Sequence, residues 1–164
     1  MNQRIYNVLF LCTGNSARSV LAESILTALG KDRFRAWSAG SFPKGAVNPH
    51  ALTLLGHLGF PTDGLRSKSW DEFTVPGAPD MDIVITVCDA AAEETCPVWP
   101  GHPAVCHWGI PDPAAVGGSE VEQMAAFREA FRTLEKRIRL MLALPLESVD
   151  RLALQQHLHA IHHG

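Results

Sequence analysis

The chain of 164 residues has no apolar run of membrane-spanning length, no long basic stretch and only four cysteines. Each shortage removes a class of function. A spanning helix needs about 20 consecutive apolar residues. The longest early apolar run, Val8-Leu9-Phe10-Leu11, is too short even for a signal-peptide core. No membrane role is expected, and the cytoplasm is the expected compartment. With a formal charge of -3 and no basic block, nucleic acid is not an expected partner, although a local anion site suits an acidic protein well enough. Four cysteines in a cytoplasmic chain point to catalytic, buried or metal-binding thiols rather than a disulfide framework. Charged residues are limited to 19% against 46% hydrophobic, which excludes disorder over the whole length and fits one globular unit with a continuous core.

What is present alternates. Residues 4–11 read as a central strand, with Ile5, Val8, Leu9, Phe10 and Leu11 nearly continuous, as when both sheet faces are covered. Residues 18–29 read as its following helix, with Val20, Leu21, Ile25 and Leu29 at helical spacing and Gly30 as the stop. A second strand is expected over 34–38 and a helix from Asn48-Pro49 through 58. A short turn-like segment follows at 67–73, then a buried strand at 81–87 that delivers Cys88 at its C-terminal end. Residues 104–108 form a weaker strand pattern, and 119–144 a long helix with Met124, Phe127, Phe131, Leu134, Ile138 and Leu142 on one side. This order predicts an α/β fold, a small three-layer sandwich around a four-stranded parallel sheet. Residues 1–144 are expected to form the domain, and 145–164 an extension with a short helix and a mobile tail. His157, His159, His162 and His163 cluster in that tail, but no acid or cysteine accompanies them, so no metal site is expected.

Ligands of such sheets collect beyond the carboxyl ends of the strands. There the chain carries Cys12-Thr13-Gly14-Asn15-Ser16-Ala17-Arg18-Ser19, with a strand before it and a helix after it. A loop of this kind wraps a tetrahedral oxyanion with backbone N–H groups, while the helix terminus and Arg18 supply positive charge. The same field favours the thiolate of Cys12, placing a nucleophile beside the anion. Gly14 gives the loop freedom, Asn15 tolerates left-handed geometry, and Ser19 is placed to hydrogen-bond Cys12. Arg18 offers a planar fork that lysine lacks. The topology puts Cys12 and Cys88 at the same sheet edge, so they are expected to be neighbours.

In these motifs the chain resembles the low-molecular-weight protein tyrosine phosphatase fold family, and within it the arsenate reductases of bacterial arsenic resistance. Ser38-Ala39-Gly40, Val84-Ile85-Thr86-Val87-Cys88, Cys96-Pro97, His107-Trp108-Gly109 and Asp112-Pro113 carry the likeness to that branch. The resemblance implies reduction of arsenate to arsenite by a relay of Cys12, Cys88 and Cys96. Cys12 attacks arsenate while Asp112 acts as general acid and Arg18 with the loop holds the oxyanion. Cys12–Cys88 and then Cys88–Cys96 disulfides carry the oxidation outward. It implies no tightly bound cofactor but an external thiol reductant, thioredoxin first and glutaredoxin with glutathione as the other route.

Asp112, between Pro111 and Pro113, is equally a turn aspartate, and Cys106 inside a strand reads as structural. Ala17 stands where many relatives carry another cysteine, and Ala114-Ala115 follow the acid where phosphatases place aromatics. Asn15 and Ser38 fit parts of a potassium site found in some relatives, but Ser67 and Ser69 lack its carboxylate, and no ion is assigned. Trp99 and Trp108 read as packing anchors. The alternatives are a tyrosine or small-molecule phosphatase using only Cys12, Arg18 and Asp112, and an oxyanion-binding or redox-sensing regulator.

Overall fold

The computed structural model describes residues 4–88, 99 and 102–163. Four strands, β1 (Tyr6–Leu11), β2 (Phe34–Ala39), β3 (Ile83–Thr86) and β4 (Ala104–His107), form one parallel sheet in the order β2-β1-β3-β4. Between and after them run helices α1 (Arg18–Leu29), α2 (Pro49–His57), α3 (Glu120–Leu142) and α4 (Arg151–His163). Single 3-10 turns lie at Trp70–Phe73, Pro113–Ala115 and Leu146–Ser148. The expected four-stranded parallel sheet is the one observed.

The pleat sorts the central strand by parity. Val8 and Phe10 face the helical layer with Leu21, Ile25 and Leu134, whereas Leu9 and Leu11 face a smaller layer of Phe73, Met81 and Trp99. All four β1 side chains are buried, and each burial is worth roughly 1.5–3 kcal/mol. The strand feeding the loop is thus packed on both faces.

Boundaries moved by one or two residues at several ends. β3 begins at Ile83 rather than 81 because the Asp82 side chain turns back to accept the Asn7 amide at 2.8 Å. The segment at 67–73 contains a 3-10 turn started by Ser69, whose hydroxyl accepts the Asp71 amide. α3 is set by a capping box in which Ser119 and Glu122 satisfy each other's backbone N–H groups.

Register brings the functional ends together. Leu11 pairs with Ala39 on one side and Thr86 on the other, and Thr86 pairs with His107. Cys12, Cys88 and the segment leading to Asp112 therefore leave the sheet at one edge.

Candidate active site

The loop between β1 and α1 is held by its carbonyls. Thr13 O accepts the Phe42 amide, Gly14 O the Lys44 amide and Ser16 O the Asn48 amide, at 3.0, 3.0 and 2.8 Å. Ser67 Oγ also donates to Gly14 O at 3.1 Å. With the oxygens bound on the outside, loop N–H groups are left for the inside. The N-terminus of α1 has no side-chain cap and no acid in its first turn. Its orphan donors therefore remain for an anion.

Asn15 braces the loop from within. It is fully buried with φ of 43°, a left-handed geometry that asparagine tolerates better than most residues. Its Nδ2 donates to Ser19 Oγ at 2.8 Å, and its Oδ1 accepts the Lys68 amide at 2.8 Å. Ser19 Oγ, which accepts from Asn15, also lies 2.9 Å from Cys12 Sγ, within hydrogen-bond reach in either direction.

Gly40, at the end of β2, is a residue whose role the motif reading did not isolate. A Cβ there would lie 2.5 Å from Cys12 O and closer still to Thr13 O, so only glycine allows the loop to approach.

Cys12, Thr13, Ala17, Arg18 and Asp112 line a cavity of about 210 Å3, with Phe42 and Lys44 at its rim. That volume is below the roughly 300–1,000 Å3 of drug-sized ligand sites and suits a small anion. Larger hollows beside α1 (about 390 Å3) and between α3 and α4 (about 300 Å3) contain no thiol. Chemistry, not volume, selects the smaller one. Arg18 is aimed by donating Nη1 to Ile110 O at 3.1 Å, and its Nη2 lies 3.7 Å from Asp112 Oδ2. Asp112 has the turn-capping role that its position suggested. Its Oδ1 caps the 3-10 turn through the Ala114 amide, and its other oxygen faces the cradle.

Cys88 sits against the same loop, accepting the Thr13 amide at 3.4 Å. Both sulfurs are shielded: Cys12 is 4% exposed and Cys88 2%. Cys96 lies outside the described residues, as does the 89–95 segment before it. Cys106 is a free buried thiol pushed up to about 12 by desolvation, which keeps it protonated and unreactive. Trp108 and Trp99 are buried anchors away from the cavity.

Behind the loop is a buried ion pair that the sequence reading missed. Ser38 Oγ donates to Glu23 Oε1 at 2.5 Å, and Lys68 Nζ stands 3.9 Å from the same oxygen. Burial pushes the Glu23 carboxyl up, against the opposing pull of Ser38 and Lys68; it pushes the Lys68 amine down. Among the described residues, no group of three or more His, Cys, Asp or Glu side chains could hold a metal. Among them, too, no helix is long and apolar enough to cross a membrane.

The chain is similar to known proteins in sequence and in fold. An arsenate reductase of Halalkalibacterium halodurans is 35% identical over 139 residues, covering 85% of this chain and 95% of that one. The structure of an arsenate reductase from Archaeoglobus fulgidus superposes with a TM-score of 0.60 at 31% identity, over 80% of this chain and 98% of the other. A thioredoxin-dependent arsenate reductase of Corynebacterium glutamicum shares the fold, with a TM-score of 0.59 at 24% identity, over 85% of this chain and 61% of that one. The family model for low molecular weight phosphotyrosine protein phosphatase matches residues 7–154, from the start of β1 into α4. With its loop, arginine and sheet order all inside that span, the chain belongs to the low molecular weight phosphotyrosine protein phosphatase family.

Proposed function

We propose that this protein reduces arsenate to arsenite with its own thiols and is restored by an external thiol reductant. One observation carries the reading: a second sulfur, Cys88 Sγ, is hydrogen-bonded to the residue next to Cys12. Hydrolysis of a phosphocysteine needs only water; reduction needs two electrons, which two thiols supply.

In the proposed sequence the Cys12 thiolate attacks arsenic, and Asp112 protonates the departing oxygen, which leaves as water. Arg18 and the N–H groups of the loop formed by Thr13, Gly14, Asn15, Ser16, Ala17 and Ser19 hold the negative charge. Cys88 then attacks Cys12 Sγ. The S–S bond forms as the S–As bond breaks, and its electron pair stays on arsenic. Arsenic acid and two thiols thus become arsenous acid, one disulfide and one water.

The burial of both sulfurs supports a third. Thiol–disulfide exchange requires access to the sulfur attacked; Cys88 is 2% exposed, and Cys12 opens only onto the small anion cavity. Cys96 is the thiol proposed to take over Cys88 and present the oxidised pair outside. Thioredoxin is the reductant proposed, as for the Corynebacterium glutamicum protein of the same fold; glutaredoxin with glutathione is the other route. A cytoplasmic setting, where thiols are kept reduced, fits this cycle. Residues 1–144 would carry the reaction and 145–164 form an extension.

Arsenate supplied with the thioredoxin system, and separately with glutaredoxin and glutathione, tests the reading through consumption of NADPH. Turnover with at least one donor, abolished by Cys88→Ser, is expected. The phosphatase reading draws on Phe42, 74% exposed at the rim, where an aryl ring could rest. Rapid hydrolysis of aryl phosphates that survives Cys88→Ser, with no arsenate turnover from either donor, would make that reading the correct one. Reversible oxidation without arsenite release would mark a redox sensor.

A further inference from the structure

The segment 108–112 carries two loads: Ile110 O aims Arg18, and Asp112 faces the cradle. Its inner edge hangs on β3, through Trp108 N to Thr86 O at 2.7 Å and Ile110 N to Val87 O at 3.3 Å. Its outer edge is gripped by groups that take no part in the chemistry. Arg137 on α3, half-buried, donates Nη1 to Gly109 O at 3.2 Å. The buried Trp108 indole donates Nε1 to Leu158 O on α4 at 2.8 Å.

α4 is seated on the adjoining strand by further contacts. Gln155 Oε1 accepts the Val105 amide at 3.1 Å, satisfying an otherwise open edge of the sheet. The His162 ring meets the His107 ring edge-on at 5.4 Å, and His107 Nδ1 lies 2.7 Å from Thr86 Oγ1. Leu154 and Leu158 are buried beneath the helix. The helix runs past residue 154, where the family match ends.

We infer that Arg137 and α4 form an outer clamp that sets Asp112 over the cradle, with Arg137 a positioning residue for proton transfer to the departing oxygen. The inference rests on the reading of Asp112 as the general acid. A hydrogen bond to Gly109 O fixes the carbonyl-to-carbonyl course of the backbone one peptide before Ile110 O. Release at that point lets the acid drift, whereas Arg18 stays anchored on α1. Near-attack geometry is steep in distance, with a misplacement of about 1 Å costing on the order of a hundredfold.

The test uses the full reduced chain and one turnover, in which Cys12 and Cys88 supply both electrons and no external donor limits the rate. Arg137→Met keeps the aliphatic stem and removes the donor; Arg137→Lys restores a donor. Arg137→Met is expected to lower arsenite formation at saturating arsenate by roughly five- to twentyfold. Phosphate, used as the probe of oxyanion binding, should bind both variants about as tightly as it binds the unaltered chain, and Arg137→Lys should recover most of the rate. In an Asp112→Asn background Arg137→Met should add almost nothing, because a displaced acid and an absent one are equivalent.

Hydrogen exchange supplies a readout independent of activity. The Trp108 and Ile110 amides should exchange faster in Arg137→Met and in Trp108→Phe, while β1 amides keep their rates. Unchanged exchange at those two amides, or a rate loss that adds in full to Asp112→Asn, overturns the clamp. If the unaltered chain forms no arsenite, the functional reading fails instead, and the exchange rates alone decide whether the clamp exists.

Discussion

Replacing Gly40 with alanine tests whether the loop's position depends on the gap behind it. The added Cβ would lie 2.5 Å from Cys12 O and nearer to Thr13 O, whereas contacts under 3.0 Å essentially never occur at a real Cβ. Both obstacles are backbone oxygens, so no side chain can swing aside. The loop must move by at least about half an ångström, and it carries the nucleophile on one side of the clash and a cradle residue on the other. Overpacking of this kind costs roughly 1–3 kcal/mol, which for a chain of this size lowers the melting temperature by roughly 3–10 °C. The catalytic effect should be larger than the thermal one. A half-ångström error at the attacking sulfur is expected to reduce single-turnover arsenite formation by about tenfold or more. Gly56→Ala is the control: a Cβ there meets nothing within 4 Å, on helix α2. Alanine in a helix is favoured over glycine by roughly 0.5–1 kcal/mol, so this variant should melt slightly higher and react normally. A Gly40→Ala protein that melts and reacts like the unaltered chain would refute the steric account of the loop.

The buried pair behind the loop makes stability depend on pH. Burial raises the Glu23 carboxyl above 4.5, so the native state holds that proton more tightly than the unfolded chain does. The contribution is complete below the ordinary value and is lost as pH rises through the raised one. Glu23→Gln should therefore gain in melting temperature relative to the unaltered chain as pH climbs from about 4 to 8; a flat difference curve rules out this sign. At Asn15, alanine removes the donor to Ser19 and the acceptor of the Lys68 amide while keeping φ of 43°. Each unsatisfied group costs about 1–3 kcal/mol, and glycine at the same position should recover about 1 kcal/mol of the loss by relieving the left-handed backbone. Urea unfolding of the two variants measures both figures, and equal midpoints for Ala and Gly would remove the backbone contribution.

The parts of the site that are local in sequence were legible, because one strand, one loop and one helix start follow each other without interruption. Cys12, Arg18 and Ser19 lie within eight residues, and the structure brings them together as their spacing implies. The neighbourhood of Cys12 and Cys88 followed from a rule about parallel sheets, and register bears it out. Gly40, Glu23 and Lys68 were missed for a different reason. Their roles come from contacts across 15 to 53 positions, and a glycine after a strand or a lysine between serines has no local pattern to distinguish it. Arg137 was hidden by the same long-range packing: on α3 it is one of several arginines, and only its contact with Gly109, 28 residues away, sets it apart.

The loop and the acid are supported from opposite directions, and that division has a chemical use. Residues 40–48 and 67–68 hold the cradle from behind through its carbonyls, whereas α3 and α4 hold the acid arm from outside. The two sides approach each other at the C-terminal end of β3, where Thr86 and Val87 bond the acid arm and Cys88 touches Thr13. Under the proposed reading, a thiol at that junction lies beside the cradle and the acid arm without belonging to either support. Moving the oxidation onward is another matter: with Cys88 2% exposed, an outside thiol has no line of attack unless the chain beyond β3 turns the sulfur outward.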